Sequence, residues 1–251
     1  MRSFGIIILI LVLSYNVLLA QTADSKVFNG CATDELMNTN NSLLQLQKSL
    51  DEAAYNYFSE RQNIIDKKTF SVEYIPVVVH IIHNGGPENI SDIQVQTAIA
   101  NINAKYLPSN GNQIQFCLAQ RDPQGNATIG ITRDQSILTT ETMELDDITL
   151  KNINRWPPTC YLNIWIVKDI LSISMGNGVI GYGFFPSAYG TNIDGVVIEA
   201  GYFGSSPAND AVGAHEIGHY LGLYHTFQNG CVNNNCLQDG DQVCDTPPDQ
   251  T

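Results

Sequence analysis

Apolar residues recur along the chain with two different periods, and the change of period marks its organisation. From Asn41 to about Ile65, Leu43, Leu44, Leu46, Leu50, Ala53, Ala54, Tyr57 and Phe58 fall at helical spacing and predict an amphipathic helix. From Tyr74 the pattern becomes dense and β-branched, so that Ile75-Pro76-Val77-Val78-Val79-His80-Ile81-Ile82 reads as a strand. A helix is predicted next, opening at Ser91-Asp92-Ile93-Gln94. Ser91 and Gln94 have the spacing of a capping box, and Ile93, Val95, Ala98, Ile102 and Tyr106 supply the buried face. Further strands are predicted at 114–119, 161–167 and 195–200. Gly181-Tyr182-Gly183-Phe184-Phe185-Pro186 reads as a short edge strand, because Gly and Pro weaken a central one. A long helix is expected from near Asn209. This order of elements predicts an α/β or α+β fold, a mixed twisted sheet with a backing helix and a second helix carrying the site.

The N-terminus follows another pattern. Arg2 precedes the apolar run Gly5 to Leu13, and the segment closes on Leu18-Leu19-Ala20, the form of a secretory signal peptide. The run is too short to span a bilayer and Asn16 interrupts its extension, so no stable membrane anchor is expected. Residues 1–20 are thus expected to direct secretion. Residues 21–70, rich in Asn and Gln, are expected to form a propeptide, and 71–251 the catalytic domain, with the activation boundary between Arg61 and Tyr74.

Charge narrows the class. A formal net charge of -13 and a pI near 4.5 exclude nucleic acid as a partner, since binding it requires a basic surface. Six Cys in an exported chain predict disulfides, with Cys231, Cys236 and Cys244 crowded together and Cys31, Cys117 and Cys160 scattered. Their connectivity is not determined by the sequence.

The chemistry concentrates in one segment, His215-Glu216-Ile217-Gly218-His219-Tyr220-Leu221-Gly222-Leu223-Tyr224-His225. Residues four apart share a helix face, so His215 and His219 can present imidazoles to one ion while Glu216 reaches a water without ligating. His225 cannot approach from a straight continuation of that helix. Gly222 supplies the left-handed turn that brings it back. Three imidazoles with an open fourth position describe a catalytic rather than a structural Zn2+ site. Glu216 is the expected general base for hydrolysis of protein or peptide substrates. An extended peptide is expected to add along Gly181, Tyr182, Gly183 and Phe184. Of five His, three fall in this motif; His80 and His83 read as ordinary strand or loop residues.

This segment resembles the extended zinc motif of the metzincins. The wider sequence is similar to the pappalysin group, especially its secreted bacterial, cytophagalysin-like members. The stretches that carry the similarity are Ile75 to His80, Ile114 to Ala119, Asp122-Pro123, Gly125-Asn126, Gly130 to Arg133, Tyr161 to Trp165, Asp194 to Ile198, Gly240-Asp241 and Asp245-Thr246-Pro247. The resemblance implies an endopeptidase with its zinc in a cleft below a sheet-and-helix subdomain. It also implies that Cys31, in Asn29-Gly30-Cys31-Ala32-Thr33, is a zymogen zinc ligand; a disulfide partner or an unpaired thiol is the other reading of that residue. Similar enzymes bind calcium beyond the third His, which makes Asp239, Asp241 and Asp245 candidate Ca2+ ligands, against the plainer reading of a solvated acidic loop. Metzincins place a Met-containing turn after the third His, whereas none of the four Met here follows His225, so a C-terminally incomplete catalytic domain is expected. Two other classes remain open: a non-catalytic zinc-binding interaction module and a calcium-stabilised adhesion module. Glu216 argues for the enzyme, because metal binding alone does not require that carboxylate.

Overall fold

Every residue of Leu162–Val167 is buried, so this apolar run forms the middle of a sheet covered on both faces. The structure is a computed structural model that describes residues 30–61, 72–106, 113–206, 209, 211–228, 234–235, 239–243 and 246. In chain order the elements are β1 (Gly30–Cys31), α1 (Thr33–Asn38), α2 (Asn41–Arg61), β2 (Val72–His83), α3 (Asp92–Lys105), β3 (Gln113–Leu118) and β4 (Ile131–Gln135). They continue with β5 (Thr140–Thr142), α4 (Met143–Lys151), β6 (Leu162–Val167), β7 (Asp169–Ser172), β8 (Gly176–Gly183), β9 (Val196–Glu199) and α5 (Val212–Tyr220).

The strands form one mixed sheet in the order β3-β2-β6-β9-β8-β7-β5, with β4 paired to β2 and β1 to β8. Strands β2, β6 and β9 are parallel, while β8 runs antiparallel to both β9 and β7. Alternation along β2 and β6 sends Val77, Val79, Ile81, Ile164 and Ile166 to one face, where α3 and α5 pack through Val95, Ile102 and Ile217. Trp165, Val167, Val197 and Tyr182 face the other side, against α4 and α1. The expected class, a mixed sheet with a backing helix, is the one observed.

Local readings fared unevenly. Ser91 caps α3, its Oγ accepting from Gln94 N at 3.2 Å. Gln94 does not complete the capping box. Its Nε2 donates instead to Ala200 O and Phe203 O, tying the segment after β9 to the helix. Ile93, expected in the buried face, is 75% exposed, and Ile99 takes the inward position. The helix expected from near Asn209 is α5, only nine residues long, because Gly222 ends it. The stripe expected to bury α2 is largely open, with Leu46, Leu50 and Tyr57 exposed. Leu43 packs against the core, and the fully buried contact of α2 is polar: Gln47 Oε1 accepts from Ser187 N at 3.0 Å.

Strand β8 corrects the edge-strand expectation. It begins earlier, at Gly176, and β7 and β5 lie beyond it in the sheet. Only its C-terminal half has an open side, and there β1 runs parallel to it. Tyr182 and Phe184 are buried in the core behind it. The signal segment 1–20 and residues 62–71, where activation cleavage is expected, lie outside the described residues. Among the described residues, no helix is long and apolar enough to cross a membrane.

Candidate metal centre

Helix α5 ends in a Schellman turn: Gly222 N donates to His219 O at 2.8 Å and Leu223 N to Gly218 O at 2.9 Å. Gly222 sits at φ 97°, a conformation open to glycine and strained for other residues. The turn reverses the chain and carries His225 back beside the helix. The sequence-derived account of Gly222 therefore holds in structural detail.

Three imidazole nitrogens converge as a result. The Nε2 atoms of His215 and His219 are 3.1 Å apart, and each lies 3.2 Å from His225 Nε2. Their tautomers follow from the opposite ring nitrogens. His219 Nδ1 lies 2.7 Å from Leu223 O, a pure acceptor, so Nδ1 carries the proton. His225 Nδ1 lies 2.8 Å from Asp34 Oδ2 and donates in the same way. With both Nδ1 atoms protonated, two bare Nε2 lone pairs lie about 3.2 Å apart, an arrangement that a bound cation relieves. A tetrahedral ion with Zn–N bonds of about 2.0–2.1 Å has N···N edges of about 3.3 Å, so the triangle fits zinc. Burial, and then the charge of neighbouring histidines, holds His219 down to about 4 and lowers His215, which keeps both rings neutral as ligands must be.

The fourth side is closed from the N-terminus. Cys31 Sγ and the three ring nitrogens all lie within 4.8 Å of one another, and this is the metal-ligating cluster found among the described residues. Cys31 Sγ also donates to Glu216 Oε2 at 3.2 Å. Burial, with Glu216 adding to it, pushes the thiol far up. Glu216 is 1% exposed, and burial pushes its carboxyl up to about 8. A cation at the three histidines reverses this logic and favours both thiolate and carboxylate.

Two glycines of β8 let the helix come this close. A β-carbon on Gly181 would meet the Glu216 side chain, and one on Gly183 would meet the Glu216 carbonyl at 2.6 Å. The main chain of β8 is occupied here: Ala32 N donates to Gly181 O at 3.2 Å, and Gly183 N to Thr33 Oγ1 at 3.0 Å. Beside β1 a cleft of about 580 Å³ remains, lined among others by Met175, Ile180, Val212, His215, Glu216 and Phe227.

Other sequence-derived candidates separate from this centre. His80 is buried between Thr132 Oγ1 and Asn163 Oδ1 at 2.8 and 2.9 Å, stacked on Trp165, and burial lowers it to about 4. The calcium expectation gains no support. Asp239 Oδ2 accepts from Asn234 N and Asn235 N and Asp241 Oδ1 from Val243 N, so both carboxylates cap turns, and Asp245 lies outside the described residues. The disulfide expectation is not met where it can be seen, since Cys31, Cys117 and Cys160 are free; Cys231, Cys236 and Cys244 lie outside the described residues. Sequence reasoning missed Thr33, Asp34 and the Leu223 carbonyl. Asp34 stands 191 residues before its histidine, and nothing in the local pattern announces the pairing.

A helix with two converging histidines and a buried glutamate, a glycine-built reversal and a third histidine form a candidate metal site with the arrangement of the metzincins. The M43 peptidase family described as Pregnancy-associated plasma protein-A matches residues 145–251. An extracellular metalloprotease of Arthroderma otae is 30% identical over 182 residues, covering 69% of this chain and 58% of its own length. The chain spans about three-fifths of the length of such curated relatives. Mature mirolysin of Tannerella forsythia, solved in complex with a cleaved peptide, is 33% identical with a TM-score of 0.57, over 70% of this chain and 72% of that one. A promirolysin mutant from the same organism is 28% identical with a TM-score of 0.60, over 88% of this chain and 76% of that one. The chain belongs to the pappalysin family of metzincin zinc metallopeptidases.

Proposed function

We propose that this chain is the secreted precursor of a zinc-dependent endopeptidase in which Glu216 acts as general base. The observation that carries the reading is the convergence of three ring nitrogens at 3.1–3.2 Å beside the buried Glu216 carboxylate, which is not part of the converging group. His215, His219 and His225 would hold the ion. Zinc bound there supplies Lewis acidity and lowers the pKa of a coordinated water towards neutrality. Glu216 takes the proton of the attacking water and passes it to the leaving amine. A substrate peptide lies extended along the open half of β8, using Gly181 O and Gly183 N, the groups that β1 and Thr33 engage here. Mature mirolysin in complex with a cleaved peptide supports a peptide as the occupant.

The N-terminal segment is then a propeptide, with Cys31 closing the fourth side of the metal. Promirolysin covers 88% of this chain where the mature form covers 70%, and the extra share is close to the length of residues 21–70. Curated relatives named extracellular metalloproteases support export, with residues 1–20 as the signal.

The test is cleavage of a mixed peptide library by the purified chain after removal of residues 21–70, with Glu216→Ala and a chelator alongside. Cleavage abolished in both controls is the expected result. A folded chain with stoichiometric zinc and no cleavage would overturn the reading in favour of a non-catalytic zinc-binding module.

A further inference from the structure

His219 and His225 are each held from behind through Nδ1, one by a nearby residue and the other by a distant one. For His219 the holder is Leu223 O at 2.7 Å, part of the turn that the zinc motif itself builds. For His225 it is Asp34 Oδ2 at 2.8 Å, in α1 of the N-terminal segment. His225 needs this support more. It lies beyond α5, in the irregular stretch after Gly222, with no helix backbone to fix its ring; Phe227 stacks on one face at 4.8 Å. The His225 side chain is 9% exposed and that of Asp34 30%, so the contact is shielded from much of the solvent.

We propose that Asp34 is a positioning residue for the metal. Its carboxylate fixes the Nδ1–H tautomer and the ring plane of His225, and so holds the Nε2 lone pair towards the ion. The inference rests on the zinc reading above and goes beyond it. The N-terminal segment not only covers the fourth side through Cys31 but strengthens a ligand that belongs to the domain. Intact chain therefore retains zinc more tightly than Cys31 alone would explain, and loss of the segment removes both contributions together.

The competing account is that Asp34 merely docks α1, where an acidic residue in the first turn suits the helix dipole. Zinc affinity of the intact chain, measured by competition with a chromophoric chelator, separates the two when compared with Co2+-loaded spectra. The thiolate-to-cobalt band reports whether Cys31 still reaches the ion. Asp34→Asn is expected to lose about 10–100-fold in zinc affinity with the thiolate band retained, and Asp34→Glu to keep most of the affinity. Unchanged affinity in Asp34→Asn would overturn the proposal. So would a fall accompanied by loss of the thiolate band, which assigns Asp34 to docking. If the unaltered chain binds no zinc, or His215→Ala binds as tightly, the zinc reading itself fails, an outcome distinct from one confined to Asp34.

Discussion

A β-carbon built on Gly181 would lie 3.0 Å from Glu216 Cγ and 3.1 Å from Glu216 Oε1. The absence of a side chain on β8 thus sets the place of the carboxylate on α5. Gly183, two residues on, meets the same residue differently, since its β-carbon would lie 2.6 Å from the Glu216 carbonyl oxygen. One glycine makes room for the Glu216 carboxylate, the other for the helix that carries it.

Substitution at the two positions should therefore separate activity from stability. Gly181→Ala forces the carboxylate aside by a few tenths of an ångström, a misplacement expected to cost at least about tenfold in kcat/KM. Zinc content and Tm should change little. Gly183→Ala presses on backbone that cannot yield and should cost about 1–3 kcal/mol of stability, visible as a lowered Tm. Kinetics and thermal unfolding of the processed variants check both; a fully active Gly181→Ala would show that this contact does not position Glu216.

Gly222 joins two ligands. Its amide closes the turn on His219 O, and the same turn presents the Leu223 carbonyl to His219 Nδ1. Alanine at φ 97° should cost about 1–2 kcal/mol, and the relaxation that relieves it displaces His225. Both Tm and zinc affinity are expected to fall in Gly222→Ala. A variant losing stability but not zinc would show that His225 finds its place without the turn.

The motif was legible because its logic is local: i, i+4 spacing, then a glycine, then a third histidine. β6 was legible because burial on both faces leaves a run that is apolar but for Asn163. Elements that depend on distant partners were not. β4, β5 and β7 are short strands whose pairing is supplied by other segments, and α4 went unread although Met143 and Leu150 bury in the core. Tyr182 reads as a strand residue open to a peptide, yet it is buried because Glu141, Asp147 and Lys151 wait behind the sheet. Leu46 and Leu50 fit a core-facing stripe on α2, but the neighbour that α2 meets asks for Gln47.

That network behind β8 gives a pH dependence. The single Tyr182 hydroxyl lies 2.8 Å from both Glu141 Oε1 and Asp147 Oδ1, and it can donate to only one of them, so the other must carry a proton. Glu141 is that group: burial, then the Asp147 charge, pushes it up to about 8. A folded-state pKa above the ordinary carboxylate value means that the folded chain binds the extra proton. The associated stability is complete below about pH 4.5 and is lost as pH rises through about 8, with a slope of at most about 1.4 kcal/mol per pH unit. Urea unfolding of the unaltered chain and Glu141→Gln at pH 6.5 and 8.5 isolates this group, because the difference between the two cancels groups common to both, including His80, lowered to about 4, and Glu216, pushed up to about 8. The stability of Glu141→Gln relative to the unaltered chain should rise with pH; an equal difference at both pH values would show that Glu141 is not the protonated member.

If the N-terminal segment is the propeptide proposed above, latency has two layers, and Cys31→Ala distinguishes them. The thiol covers the fourth side of the metal centre and donates to Glu216, while β1 separately occupies the β8 main chain through Ala32 N and Thr33 Oγ1. Removing Sγ frees the ion and the base but leaves the substrate edge filled. Intact Cys31→Ala is therefore expected to cleave peptides without processing, at a rate below that of the processed chain, and to shed its N-terminal segment faster than the unaltered precursor. A cleavage time course with gel analysis of the chain measures both. Full activity would mean that β1 exchanges freely with substrate and that the thiol alone holds the precursor silent. Complete silence with zinc bound would mean the reverse, that strand pairing is sufficient and the thiol serves the metal rather than latency.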